Sequence, residues 1–185
     1  FSYDGRVLDI EWDEVIPSGD ERRVEIRYRI IAPITGMFFS WPDEKHPDRP
    51  RFVVTDHETE RARYWLPCID HPTVRTPLDL HLRAGSEYTA LANGLKVDEE
   101  VHEDGTKTVH WRLQEPCPSY LICIAVGDFI RVDGDEVDGV EVASFTTSNH
   151  PEDALERTFE PTSKMLQWLT RKLASPFPFP KYFQI

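Results

Sequence analysis

The sequence predicts a mainly β chain, an antiparallel β-sandwich or an open saddle-shaped sheet, that gives way to helices near its end. Three observations carry this. Apolar and polar residues alternate with a period of two in many short segments. Turn residues separate those segments at short spacing. Helical periodicity appears only after about residue 150.

The elements follow in order. "RVLDIEW" alternates Val7, Leu8, Ile10 and Trp12 with charges, and "RRVEIRYRII" sets Val24, Ile26, Tyr28 and Ile30 against Arg23, Glu25, Arg27 and Arg29. Both read as half-buried strands, joined by a turn at Pro17, Gly19 and Asp20. "GMFFSW" and "RFVV" are further strands around a proline-rich, charged loop. "TPLDLHLRA" alternates Leu78, Leu80 and Leu82 with Asp79, His81 and Arg83. Asn93-Gly94 marks a turn, and Asp104-Gly105 marks a hairpin. "SYLICIAVGDFIRV" is more continuously apolar and reads as a central strand covered on both faces. One more strand is expected in "VDGDEVDGVEVASFTT".

Pro151 and Pro161 then suit the first turns of two helices. Met165, Leu166, Leu169 and Leu173 make an apolar stripe on the second, and the prolines of "ASPFPFPKYFQI" return the chain to extended structure. The change of pattern puts a domain boundary near Gly139, dividing residues 1–139 from 140–185.

With 185 residues the chain holds one domain, or one and part of another. A hydrophobic content of 39% and an aromatic content of 11% suffice for a core. A net charge of -12 argues against nucleic acid or an anionic membrane as partner. An acidic chain would attract cations, amines or basic peptides, but solubility explains the charge more simply. No apolar run approaches the ~18 residues of a membrane span. Cys68, Cys117 and Cys123 form no C-x-x-C pair, and no basic and apolar leader is visible. The expectation is a cytoplasmic chain with free thiols. The absence of an initiator Met and the abrupt "KYFQI" end suggest a fragment of a longer protein.

The run "TDHETERARYWLPCIDHP", residues 55–72, concentrates the chemistry. Asp56, His57 and Glu58 resemble metal ligands, but neighbours on a strand point to opposite faces and cannot share one ion easily. There is no H-E-x-x-H, no zinc-spaced Cys/His pair, no G-x-S-x-G and no glycine-rich phosphate loop. No metal site is therefore expected within this chain. His46, His71, His81, His102, His110 and His150 read as solvated, and Cys68 and Cys123 as buried packing residues. Arg63 and Asp70 read as an ion pair bracing a corner, and Trp65, Leu66 and Ile69 as packing. Taken alone, Glu58 reads as a surface acid near Arg61 or Arg63.

The run also resembles a signature of the aminopeptidase N family of zinc metallopeptidases, which includes the leukotriene hydrolases. There T-Q-(F/C)-(E/Q) is followed by A-R and then by a P-C-x-D-x-P corner. Thr55, Glu58, Ala62, Arg63, Pro67, Cys68, Asp70 and Pro72 stand in matching places. "YTALANG", "PCPSYLICIAVGDF" and "ASPFPFPKYFQI" resemble further family segments, in the same order.

The resemblance implies a saddle-like, largely antiparallel amino-terminal domain. It implies that residues 140–185 begin a thermolysin-like catalytic domain. The zinc cofactor, its ligands, the general-base Glu and a transition-state Tyr would then lie beyond residue 185. It gives Glu58 the role of binding the free α-amine of a peptide substrate, with Asp56, in place of the family's Gln, beside it. His57 replaces an apolar residue or Cys, and His71 replaces a common acid. The expected partners are peptides with a free amino terminus and the remaining catalytic and carboxy-terminal domains of the same polypeptide. Inactivity of the fragment alone is expected. Two other readings are a non-catalytic interaction scaffold of the same fold and a carbohydrate-binding sandwich using Trp12, Trp41 or Trp111.

Overall fold

The computed structural model describes residues 1–185. The chain is mainly β, with largely antiparallel sheets and two helices near its end. Strands β1 (Ser2–Tyr3) and β2 (Leu8–Asp9) form a minimal ribbon. β3 (Met37–Ser40), β4 (Phe52–Thr55), β6 (Thr89–Ala92) and β9 (Ile124–Gly127) form a four-stranded sheet in the order β3-β4-β9-β6. β5 (Arg75–Gly85), β7 (Leu95–Val101) and β8 (Thr106–Pro118) form a second sheet in the order β5-β8-β7. β10 (Phe129–Asp133) and β11 (Glu141–Thr147) pair antiparallel, and β12 (Lys181–Gln184) joins β11 in parallel. Helices α1 (Glu152–Phe159) and α2 (Thr162–Leu173) bridge β11 to β12.

The two expected amino-terminal strands do not form as such. Only Leu8–Asp9 of the first joins a ladder, and residues 21–31 join none. Alternation records where side chains point, whereas a strand also needs a hydrogen-bonded neighbour. Val24, Ile26 and Tyr28 remain 39–49% exposed. The apolar run expected as one central strand is divided. Its first part, β9, lies centrally between β4 and β6, while β10 leaves for another sheet. The switch falls at Gly127, where a Cβ would meet Phe52 Cβ at 2.6 Å and the Arg51 carbonyl at 2.8 Å.

The core joins these layers. Ala90, Leu91 and Ala92 of β6, Val109 and Trp111 of β8, Ala125 of β9, and Ala143 and Phe145 of β11 form one buried cluster. Val137, Val140, Val142 and Leu166 form a smaller one under α2. The expected turn at Asn93-Gly94 is present, with Gly94 at φ +80°. A Cβ there would sit 2.0 Å from the Arg112 carbonyl. Gly94→Ala is therefore expected to destabilise the chain by more than about 1 kcal/mol, read as a lower urea midpoint.

Lys181 is an unusual half-buried neighbour of the core. Its Nζ lies 3.5 Å from the Trp111 ring centroid and donates to the Ala92 carbonyl at 2.6 Å. It borders an apolar cavity of about 370 Å³ lined by Leu91, Cys123, Phe179 and Phe183 among others. Burial lowers its ammonium to about 7, against the pull of Glu141 and Cys123. The unfolded chain keeps this proton up to the ordinary value of 10.5. Between the two values the unfolded state binds more protons, so stability rises with pH. Urea unfolding is expected to show a gain on the order of 2 kcal/mol from pH 7 to 9, and a flatter profile in Lys181→Met.

The exposed surface is large, 13,320 Å², where a compact monomer of 21.5 kDa exposes about 9,200 Å². The α2 stripe contributes. Leu166 is buried, but Met165, Leu169 and Leu173 are 46–70% exposed, with Trp168 beside them. No helix is long and apolar enough to cross a membrane.

Candidate functional site

The run from Thr55 to Pro72 leaves the end of β4 and folds into a corner. Thr55 anchors its start: the Ile124 amide donates to Thr55 Oγ1 at 2.8 Å, and the Asp56 amide donates to the Gly36 carbonyl at 3.2 Å. A 3₁₀ turn over Ala62–Tyr64 follows, with Ala62 fully buried.

Side chains at 56, 57 and 58 point apart. Asp56 and Glu58 are exposed, while His57 is 1% exposed. His57 Nε2 accepts from Trp65 Nε1 at 2.6 Å, and Nδ1 has no partner. Burial lowers the imidazole below its ordinary value, against the opposing pull of the Ser119 and Ile122 carbonyls and of Asp70 and Asp56. A neutral, buried ring suits a position where the resembled family has an apolar residue. The three residues do not converge on one point.

Asp70 organises the corner. Its Oδ2 accepts from the Arg63 amide at 3.1 Å and from Arg63 Nε at 3.0 Å, and its Oδ1 accepts from Ser119 Oγ at 2.5 Å. The Asp70 side chain is 4% exposed. Burial pushes its carboxyl up, but the Ser119 hydroxyl and the Arg63 amide and guanidinium outweigh that and hold it below 3.8. The expected Arg63–Asp70 brace is thus present. The corner combines these hydrogen bonds with burial of Ala62, His57 and the Asp70 side chain. Ile69, expected to pack, is 72% exposed, and Cys68, expected to be buried, is also exposed. The Cys68 thiol is nonetheless desolvated by its surroundings and raised to about 11, helped by Asp70. It is not an activated nucleophile.

The pairing of the acids separates the two predicted site residues. Asp56 Oδ2 accepts from Arg61 at 3.0 Å. Arg63 pairs with Glu60 at 3.0 Å and with Asp70. Both arginines near Glu58 are therefore committed to other acids. The Glu58 carboxylate makes no hydrogen bond or ion pair; only its amide is engaged, donating to Asp56 Oδ1 at 3.3 Å. Asp56 and Glu58 share one exposed turn, with Asp56 neutralised and Glu58 free.

The expectation of separately solvated histidines fails for His81 and His110, which stack with centroids 4.0 Å apart. Twenty-nine positions separate them in sequence, so no spacing motif could reveal the pair.

Fold and corner together define a mainly β domain with a braced, exposed acidic turn. The chain belongs to the Peptidase M1 N-terminal domain family, which matches residues 1–121. It is 24% identical over 185 residues to a puromycin-sensitive aminopeptidase of Caenorhabditis elegans, covering 97% of this chain and 19% of that protein. It is 28% identical over 186 residues to aminopeptidase M1-B of Oryza sativa, covering 95% and 21% respectively. With aminopeptidase N of Lactococcus lactis it shares 25% identity over 190 residues, covering 100% and 22%. The chain spans about a fifth of the length of these relatives.

Proposed function

We propose that this chain is the amino-terminal part of a zinc-dependent aminopeptidase and that Glu58 anchors the substrate's free α-amine. One observation carries the anchor: Glu58 is the acid of the corner left without an arginine, on a turn held in place by Asp70, Arg63 and Ser119. A free carboxylate facing an ammonium forms a charge-assisted hydrogen bond worth roughly 1.5–3 kcal/mol. It also selects for the end of a peptide, because an internal amide has no ammonium to offer. Asp56, tied to Arg61, orients the turn.

Residues 1–139 form the β domain in this reading, and residues 140–185 begin the catalytic domain. Zinc and its ligands belong to residues beyond 185, as does the metal chemistry of hydrolysis. The present residues bind and orient the amine, and alone they leave the chain inactive. The remaining domains of the polypeptide cover its surplus surface, including the exposed α2 stripe.

The test uses the full-length protein on a peptide with a free amino terminus and on its N-acetyl derivative. Release of the first residue from the free peptide only, abolished by a chelator and restored by zinc, is the expected result. Equal cleavage of both would remove the anchor reading. No metal-dependent cleavage of either would point to the scaffold.

A further inference from the structure

The outer face of the β5–β8 ladder carries a cluster that amine binding does not use. On β5, Leu78, Leu80 and Leu82 are the more buried residues, and on β8 Val109, Trp111 and Leu113 are buried. Asp79, His81, His110 and Arg112 therefore share the opposite face. The antiparallel register sets His81 across from His110, and Asp79 across from Arg112.

Both imidazoles present Nε2 to one carboxylate oxygen. His110 Nε2 hydrogen-bonds Asp79 Oδ1, and His81 Nε2 lies 3.4 Å from the same atom. One donor atom from each of the three residues lies within 4.8 Å of the others. The second oxygen, Oδ2, accepts from Arg112 Nε at 2.9 Å. Oδ1 thus stays directed at the histidines while Oδ2 is held.

We propose that Asp79, His81 and His110 form a binding site for a divalent ion of the zinc class on this face of the sheet. Two imidazole nitrogens and one carboxylate make a three-ligand set whose fourth position takes water. Bonds of about 2.0–2.1 Å in a tetrahedral arrangement put the donor atoms about 3.3 Å apart. His81 Nε2 already stands at that distance from Oδ1, and side-chain rotation opens the hydrogen-bonded His110–Asp79 pair to it while the ladder holds the backbones. Nitrogen donors favour zinc-class ions over calcium or magnesium, which take oxygen.

On binding, two Nε2–metal bonds and one Oδ1–metal bond form. A proton on either Nε2 shifts to Nδ1 of a neutral ring or, from an imidazolium, leaves to solvent. Nothing is oxidised or reduced. Arg112 orients the carboxylate from behind, as outer partners of metal ligands do. Its positive charge opposes the cation, and the chain's net charge of -12 acts the other way.

The test is equilibrium dialysis of the full-length protein against micromolar Zn(II), with metal counted per chain. The wild type is expected to hold one more zinc than a His81→Ala/His110→Ala variant with the same far-UV circular dichroism. Asp79→Asn, which keeps a hydrogen-bonding side chain, should weaken uptake at least tenfold. Arg112→Gln keeps a donor near Oδ2, loses the charge, and should tighten uptake several-fold. Co(II), as a spectroscopic probe, should give tetrahedral visible absorption in the wild type that the double variant lacks. Equal zinc content in wild type and double variant, or in wild type and Asp79→Asn should the double variant unfold, would overturn the proposal.

Discussion

Replacing Glu58 with alanine in the full-length protein is expected to lower kcat/KM for free-amine peptides by roughly 10- to 100-fold. The figure follows from losing one charge-assisted hydrogen bond to the ammonium in the transition state. Glu58→Gln keeps an acceptor without the charge and should fall between alanine and wild type. The loss should be confined to substrates with a free amine. Folding should be unaffected, because the exposed Glu58 carboxylate makes no hydrogen bond or ion pair in the chain. An unchanged kcat/KM in Glu58→Ala would end the anchor role. Asp56→Asn is expected to have a smaller effect, since Asp56 is already paired with Arg61 at 3.0 Å.

The second large effect is on stability. Asp70→Ala is expected to destabilise the chain by about 3 kcal/mol, measured by urea unfolding. Three hydrogen bonds end on this carboxylate, from the Arg63 amide, Arg63 Nε and Ser119 Oγ. Removing it strands the buried Ser119 hydroxyl and releases the corner from Ser119. The carboxyl is held below its ordinary 3.8. In the unfolded chain the group therefore takes up its proton at a higher pH than in the folded one. Its stabilisation is full above the unfolded value and is lost as pH falls through the folded one. Asp70→Ala should accordingly be less sensitive to acid below about pH 4 than the wild type. Equal midpoints at neutral pH would mean that the corner is held by other contacts.

The two variants also separate the roles of the corner. Glu58→Ala should change turnover and leave the melt alone. Asp70→Ala should change the melt, and turnover only through displacement of the turn.

Local chemistry was legible wherever the signal is local. The Asp104-Gly105 and Asn93-Gly94 turns, the leucine alternation of β5 and the two proline-started helices follow from backbone preference and side-chain period. The Arg63–Asp70 brace was legible because the partners lie seven residues apart on one turn. Residues 21–31 misled, because a period of two carries no information about whether a neighbouring strand exists. The apolar run after Ser119 misled differently: hydrophobicity shows burial but not the change of sheet at Gly127. Cys68 and Ile69 sit in an apolar-looking stretch, yet both are exposed, and the corner buries Ala62, His57 and the Asp70 side chain instead.

By itself, the sequence determined the strand-rich class, the turn positions, the helical ending and the pattern that places Glu58 and Asp56 in an aminopeptidase-like run. These depend on contacts within a few residues. Only the tertiary structure decided which acids are neutralised. Glu58 is free because Arg61 and Arg63 turn to Asp56, Glu60 and Asp70. Only the tertiary structure brought His81 and His110 together, or set Lys181 over Trp111. Those meetings are set by strand register and layer packing across tens of residues, and no linear spacing encodes them.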